Sequence, residues 1–167
     1  IEAMNPAVSH WDLSTVDLAH RQRSFMPWLA ADMDGFSMMR HYREALDLPA
    51  KDFKEEVSLS QIVQGIALTT AIESHRRNKP QTMGSLYWQL NDVWPAVSWS
   101  TINHDGSWKL SHHMVKEAFK PCVVSLNLTQ DSIHVHVIAD RRWAAKGTLR
   151  LTWLDTNGRP YWSSLSP

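Results

Sequence analysis

Apolar residues in the middle of the chain recur every three or four positions, which is the period of an α-helix. These positions are Leu59, Ile62, Val63 and Ile66. Ser58, with Gln61 three residues later, fits a capping box, in which side chains satisfy the free N–H groups of a helix start. The pattern predicts one long helix that ends near Asn78, before Pro80.

The stretch after this helix has strand length and strand composition. Residues 83–90, MGSLYWQL, form an apolar and aromatic run, and the polar pair Asn91 and Asp92 follows it. A second helical pattern covers residues 108–119. Helix, strand and helix with short connections are typical of a parallel sheet covered by helices, so the pattern predicts the α/β class.

From Cys122 onward the apolar period changes to two. Ile133, Val135 and Val137 alternate with polar residues, as in a strand that has one buried face. Four antiparallel strands are predicted, at residues 122–128, 132–139, 148–154 and 160–163. An immunoglobulin-like sandwich has about seven strands. The second domain, residues 121–167, is therefore predicted to be an incomplete β-sandwich.

Residues 1–52 are the least regular part of the chain, since prolines and a glycine interrupt them repeatedly. Short helices are predicted at residues 16–24 and 36–46. Five of the seven methionines lie in this part, and we interpret them as side chains that fill gaps in a core.

Composition argues against several kinds of partner. The chain has 167 residues, with 17 Lys and Arg against 17 Asp and Glu, so it presents no basic field for nucleic acid or anionic lipid. No apolar run approaches the roughly 20 residues of a membrane span. We expect neither nucleic acid nor membrane as a partner. Nine Trp favour either aromatic packing or a surface for flat apolar faces such as sugars.

The nine histidines suggest a metal site, but their spacing does not support one. His112 and His113 are adjacent and would point about 100° apart on a helix. His134 and His136 share a strand face without an acidic or thiol partner, so we expect them to face solvent. No nucleophile elbow or phosphate-binding glycine motif occurs. We expect no metal and no cofactor.

Carboxylates remain as candidates, since a glycoside hydrolase needs two of them. Glu55, Glu56 and Glu73 lie within or beside the long helix and are interpreted as surface charges. Asp92 differs, because it follows the predicted strand at the end where barrel enzymes place working residues. Two roles stay open for Asp92: contact with substrate, or an Asx turn that holds loop backbone.

Three tryptophans are associated with the same end of this strand. Trp88 lies near it, and Trp94 and Trp99 lie in the loop beyond. Core packing under the loop and contact with a sugar are equally open for them.

At these residues the sequence resembles a known family. GSLYWQLNDVWPAVSW at residues 84–99, DGSWKLSHH at 105–113 and SQIVQGIALTTAIESHRR at 60–77 resemble the C-terminal part of the catalytic barrel of β-mannosidases in glycoside hydrolase family 2. The likeness covers residues 40–120 and, more weakly, HRQ at 20–22. Sister β-galactosidases and β-glucuronidases carry a Trp on the corresponding strand but lack the W-Q-L-N-D-x-W-P string.

The resemblance implies the C-terminal part of a (β/α)8 barrel for residues 1–120 and the start of a β-sandwich after it. Residues 61–77 would be helix seven, residues 83–90 strand eight and residues 108–119 helix eight. A strand eight without neighbours would expose unpaired edges and apolar faces, which favours aggregation.

The resemblance also assigns roles at the sugar site. Trp88 is expected to be the platform on which the mannose ring rests, because an indole face covers the C–H patch of a sugar. Asn91, Asp92 and Trp94 are expected to shape the wall of the site. The Trp88–Gln89 peptide bond is expected to be cis, and the partner to be a mannose-containing glycan.

Two motifs of the family are missing from this chain. The acid/base Glu follows an Asn after strand four, and the nucleophile lies in a Ser-Glu-Phe-Gly string on strand seven; neither string occurs. We therefore expect a fragment of a retaining β-mannosidase, inactive alone, whose catalytic carboxylates belong to the remainder of the parent enzyme. The alternative is a noncatalytic carbohydrate-binding or structural β-sandwich module. A bacterial cytoplasm or periplasm is favoured over a lysosomal or secreted location.

Overall fold

The computed structural model describes residues 43, 44, 46–93, 98–140 and 147–166. The helix predicted at residues 16–24, most of the one predicted at 36–46, and the weaker likeness at 20–22 lie outside these residues.

Helix α1, Phe53–Arg77, begins earlier than the sequence predicts. Asp52 is its N-cap, and the Asp52 carboxylate accepts a hydrogen bond of 2.8 Å from the Glu55 N–H. Ser58 instead lies inside the helix, where its hydroxyl donates to the Lys54 carbonyl. The predicted start was wrong because both Asp52 with Glu55 and Ser58 with Gln61 fit a local capping pattern.

Helix α2, Leu110–Ala118, packs against α1. Ile72, Val115 and Ala118 form the buried cluster between them. Lys109 at the N-cap position of α2 makes no side-chain cap bond. The Gln61 side chain of α1 caps α2 instead, because its Oε1 accepts from the Leu110 N–H at 2.7 Å.

The run at residues 83–90 is extended but forms no β-ladder among the described residues. Its side chains still alternate with the period of a strand. Tyr87 packs against the helix cluster, and Ser85 Oγ lies 2.9 Å from His75 Nδ1 of α1. Leu86 and Trp88 are exposed. One face of the run therefore covers the helices, and the other faces away from them.

In the described part of the chain, four strands form two separate antiparallel hairpins, close to the predicted positions. Strands β1, Cys122–Leu128, and β2, Ile133–Ala139, pair in one sheet, and β3, Leu149–Leu154, and β4, Pro160–Ser166, pair in the other. Gly158 in the second turn has φ 77°, a conformation that glycine adopts most easily. Neither a closed barrel nor a complete sandwich is present in the described part of the chain.

The β1–β2 hairpin turns its more polar face toward α1. Ser125 is fully buried, and its hydroxyl donates to Glu73 Oε2 of α1 at 2.6 Å. His134 is exposed, but His136 on the same face is half-buried, so the expectation that both face solvent was wrong for His136. Val124 and Val137 on the opposite face are exposed.

Candidate functional site

Trp88 lies at the end of the extended run, on the face directed away from the helices. Its side chain is 75% exposed. The peptide bond that follows it, Trp88–Gln89, is cis, as the resemblance predicts. The indole is thus available to a ligand, and it is not part of the helix core.

Backbone hydrogen bonds hold the segment after Trp88 against the returning chain. The Ile102 N–H donates to the Leu90 carbonyl at 2.9 Å, and the Thr101 N–H donates to the same carbonyl at 3.1 Å. Asn91 and Ile102 form an isolated parallel bridge. The two ends of the loop at residues 92–100 therefore lie side by side, next to Trp88.

Trp99, in the same loop, was not among the residues predicted for the sugar site. It is 45% exposed, and its carbonyl accepts from Gln64 Nε2 at 2.7 Å and from the Gln89 N–H at 3.4 Å. Gln64 Oε1 accepts from the Ser111 hydroxyl of α2 at 2.9 Å. One glutamine therefore ties the loop to both helices. The sequence signal that could have identified Trp99 was the Ser-Trp pair at the end of the string at residues 84–99 that resembles the family.

Asp92 points into the protein. It is 3% exposed, and its Oδ1 accepts from Ser98 Oγ at 2.6 Å. Its Oδ2 accepts from Ser100 Oγ and from Lys109 Nζ at 3.4 Å. These contacts hold the loop through side chains, which differs from the backbone contact of the expected Asx turn. Contact with substrate, the other role, stays a prediction.

Of the other two predicted wall residues, the structure describes Asn91 but not Trp94. Asn91 is exposed, and its side-chain amide donates to the Asp92 carbonyl at 3.2 Å. Trp94 lies outside the described residues. The structure thus brings Trp88, Asn91 and Asp92 to one end of the run, with only Trp88 and Asn91 open to solvent.

A polar cluster lies behind the loop, on the helix side. The Thr101 hydroxyl is 3.2 Å from the Tyr87 hydroxyl and 2.9 Å from His112 Nδ1. The ring of Trp108 meets the His112 ring edge to face, with centroids 4.4 Å apart. Burial lowers the pKa of His112, and the nearby His113 and Lys116 lower this pKa further. From the sequence, His112 was considered only as a metal ligand, and its place in this polar cluster was not predicted.

The described carboxylates of α1 are engaged in structural contacts. Glu56 is buried and pairs with Arg43 Nε at 3.1 Å, so its interpretation as a surface charge was wrong. The Glu73 carboxylate accepts a hydrogen bond from the Ser125 hydroxyl. Among the described residues, no three His, Cys, Asp or Glu side chains could hold a metal ion together.

A separate cleft of about 230 Å³ lies at the opposite end of the extended run, by its first residues. Lys79 and Asp140 line it and form an ion pair there. Arg76, also in its wall, pairs with the same carboxylate at 3.1 Å. The cleft does not include Trp88.

None of the described helices is long and apolar enough to cross a membrane.

The chain is similar to known proteins both in sequence and in structure. No protein-family model matches the chain. The chain is 41% identical to β-mannosidase A of Aspergillus niger over 106 residues, which is 60% of this chain and 11% of that protein. It is 34% identical to β-mannosidase A of Aspergillus terreus over 117 residues, 67% of this chain and 13% of that protein. The chain thus spans only 11 to 13% of the length of these two relatives.

Solved structures agree with the sequence matches. A β-D-mannosidase from Dictyoglomus thermophilum superimposes with a TM-score of 0.73 at 26% identity, covering 99% of this chain and 20% of that one. The exo-chitosanase CsxA of Amycolatopsis orientalis gives a TM-score of 0.64 at 18% identity over 81% of this chain and 16% of that one, which indicates a shared fold alone. By sequence and by fold, this chain is similar to a short segment of these β-mannosidases.

Proposed function

We propose that this chain is a segment of a retaining β-mannosidase that hydrolyses terminal, non-reducing β-D-mannose residues of glycans. The segment supplies part of the wall of the sugar site, and the two catalytic carboxylates come from the remainder of the parent enzyme. The observation that carries this proposal is the exposed indole of Trp88 at the end of the extended run.

The geometry of Trp88 suits a sugar platform. An indole has few rotatable bonds, so it offers a large flat apolar surface at low entropic cost. Backbone hydrogen bonds at both ends of the neighbouring loop hold the segment that follows Trp88 in place. Asn91, which is exposed beside it, supplies an amide for sugar hydroxyls, and Trp94 is a further wall residue.

The missing carboxylates fit the same proposal. Retaining glycosidases place an acid/base and a nucleophile about 5 Å apart across the scissile bond. The strings that carry both groups in the family are absent from this sequence. The double displacement through a glycosyl-enzyme intermediate is therefore assigned to the parent enzyme.

The fold proposal follows from the same homology. Residues 1–120 form the C-terminal part of a (β/α)8 barrel, in which α1 is helix seven, residues 83–90 are strand eight and α2 is helix eight. Residues 121–167 begin an immunoglobulin-like β-sandwich. The coverage of 99% of this chain by the Dictyoglomus enzyme supports this arrangement.

The first test replaces Trp88 by Ala in the full-length parent enzyme. We expect kcat/KM for an aryl β-mannoside to fall at least about tenfold, which is ~1.4 kcal/mol of transition-state stabilisation. Trp153→Ala, at another exposed tryptophan on β3, is the matched control and keeps wild-type kcat/KM. Equal losses in the two variants, or a loss explained by a lower Tm alone, would contradict the platform role.

The second test uses the chain by itself. We expect no turnover of an aryl β-mannoside, because both catalytic carboxylates are missing, and no measurable affinity for manno-oligosaccharides in a calorimetric titration. Turnover would overturn the assignment of the carboxylates to other sequence. Specific glycan binding without turnover would favour the noncatalytic binding module.

A further inference from the structure

We propose that Asp92, Ser98, Ser100 and Lys109 form a buried clamp that positions the loop beside Trp88. Asp92 is then a positioning residue of the sugar site and does not contact the sugar. This inference rests on the proposed function for its kinetic effect, but its structural part can be tested independently.

A single carboxylate joins the two ends of the loop and the start of α2. Asp92 at the first end accepts from Ser98 Oγ and Ser100 Oγ at the second end. Lys109 Nζ donates to Ser100 Oγ at 2.9 Å and to Asp92 Oδ2 at 3.4 Å. The two loop ends cannot separate without breaking bonds to a charged acceptor, which are stronger than neutral hydrogen bonds.

Because the charged groups of the clamp are buried, arrangements that separate them are disfavoured. Lys109 is 8% exposed, and Ser100 has no exposed surface. A charge taken out of water is tolerated only when it is paired and hydrogen-bonded, so loop positions that separate Asp92 from Lys109 are strongly disfavoured. The clamp therefore favours one arrangement of the two described loop ends, residues 92 and 98–100, over the alternatives.

The clamp connects to Trp88 through the backbone. The Asp92 N–H donates to the Ile102 carbonyl, and the Lys109 N–H donates to the Thr101 carbonyl, each at 3.0 Å. Thr101 and Ile102 in turn bond to the Leu90 carbonyl, two residues after Trp88. Loosening the clamp releases the strip of backbone against which the residues after Trp88 lie.

Direct contact between Asp92 and a sugar would disrupt the clamp. Both carboxylate oxygens already accept from donors of the protein, and the residue is 3% exposed. A sugar hydroxyl could reach the carboxylate only by displacing the serines. This is why we assign Asp92 an indirect role.

The experiment compares Asp92→Asn, Lys109→Met and the double variant in the full-length parent enzyme. We expect each single variant to lower kcat/KM for an aryl β-mannoside by up to about 10²-fold, the loss that a displacement of about 1 Å can cause. The double variant should lose less than the product of the two single losses, because neither charge is then left buried alone. Faster hydrogen exchange at the Thr101 and Ile102 amides is expected in both single variants.

Glu56→Gln is the matched control, since it also breaks a buried ion pair, to Arg43. We expect it to lower Tm while kcat/KM and the exchange of the two amides stay at wild-type values. If Asp92→Asn does not fold, Ser98→Ala removes one bond of the clamp and should still lower kcat/KM several-fold.

Three outcomes overturn the clamp: a folded Asp92→Asn variant with kcat/KM within about twofold of wild type, an equal loss in Glu56→Gln, or unchanged exchange at Thr101 and Ile102. If the parent enzyme does not hydrolyse mannosides at all, the proposed function fails, and the exchange measurement alone decides on the clamp.

Discussion

His112 is a titratable residue whose protonation the fold disfavours. The His112 imidazole lies against the Thr101 hydroxyl and the ring of Trp108, and burial lowers its pKa below the ordinary value of about 6.5. The folded chain therefore binds this proton more weakly than the unfolded chain does. Protonation of His112 stabilises the unfolded state.

The consequence is a defined pH dependence of stability. We expect the free energy of unfolding, measured by urea denaturation, to be highest above about pH 6.5 and to decrease as the pH falls toward the lower pKa of the folded state. His112→Gln should reduce this slope. His134→Gln, at an exposed position on β2, should retain it, and equal slopes in both variants would contradict the assignment.

Single residues differ in how far the sequence alone could place them. Trp88 was identifiable because it lies in a distinctive string next to a strand-like run. The burial of Lys109 was not predictable, since a lysine at a helix start ordinarily faces solvent and its partner lies 17 residues earlier. Glu56 was misjudged for the same reason, because Arg43 is distant in sequence. Buried charges depend on partners that only the fold brings near.

At the scale of elements, the contact between α1 and α2 depends on a missing side chain. A Cβ on Gly65 would overlap the sulfur of Met114. Glycine within a helix costs about 1 kcal/mol relative to alanine, so the position sacrifices helix propensity for the space that the Met114 side chain occupies.

Gly65→Ala tests this balance. The overlap is with the far end of the flexible Met114 side chain, so its cost should lie at the low end of the about 1–3 kcal/mol typical of overpacking. Against a propensity gain of about 1 kcal/mol, we expect a net loss of no more than about 1 kcal/mol in the free energy of unfolding. Met114→Ala in the same chain should relieve the overlap, so the double variant should lose less than the two single losses combined. Gly84→Ala, with open space around its Cβ, is the control and should be near neutral.

Elements were predicted well where their sequence pattern is local. They were predicted less well where their structure depends on partner strands from other parts of the protein. The four strands of the two hairpins followed from alternation and turn signals, and β1 matches its predicted bounds. The run at residues 83–90 has the predicted period but no ladder among the described residues, because a parallel strand needs partners from elsewhere in the chain. The start of α1 was ambiguous, since two capping patterns lie within two turns of each other.

At the scale of the whole molecule, much apolar surface remains uncovered. Val124, Leu126 and Val137 on one face of the first hairpin are exposed, as are Leu86 and Trp88 on the extended run. Monomeric soluble proteins seldom expose contiguous apolar patches of large size. The sequence predicted this exposure for strand eight, but it could not show which face of β1 and β2 would pack against α1.

Self-association of the isolated chain is the expected result. Sedimentation velocity should reveal species larger than the monomer whose proportion rises with protein concentration. Leu126→Lys, which places a charge on the exposed apolar face of β1, should reduce that proportion. His134→Lys on the opposite face of the hairpin should not. A chain that stays monomeric at every concentration would contradict this prediction.

The alternation along residues 83–90 also constrains how this part of the protein can be altered. Because Tyr87 faces the helices and Trp88 faces away from them, inserting one residue between Ser85 and Tyr87, or deleting Leu86, would reverse the two orientations. The phenol would then point outward and the indole would meet the helix layer. Exchanging outward-facing side chains is a workable route to a new ligand preference, whereas changing the length of this segment is not.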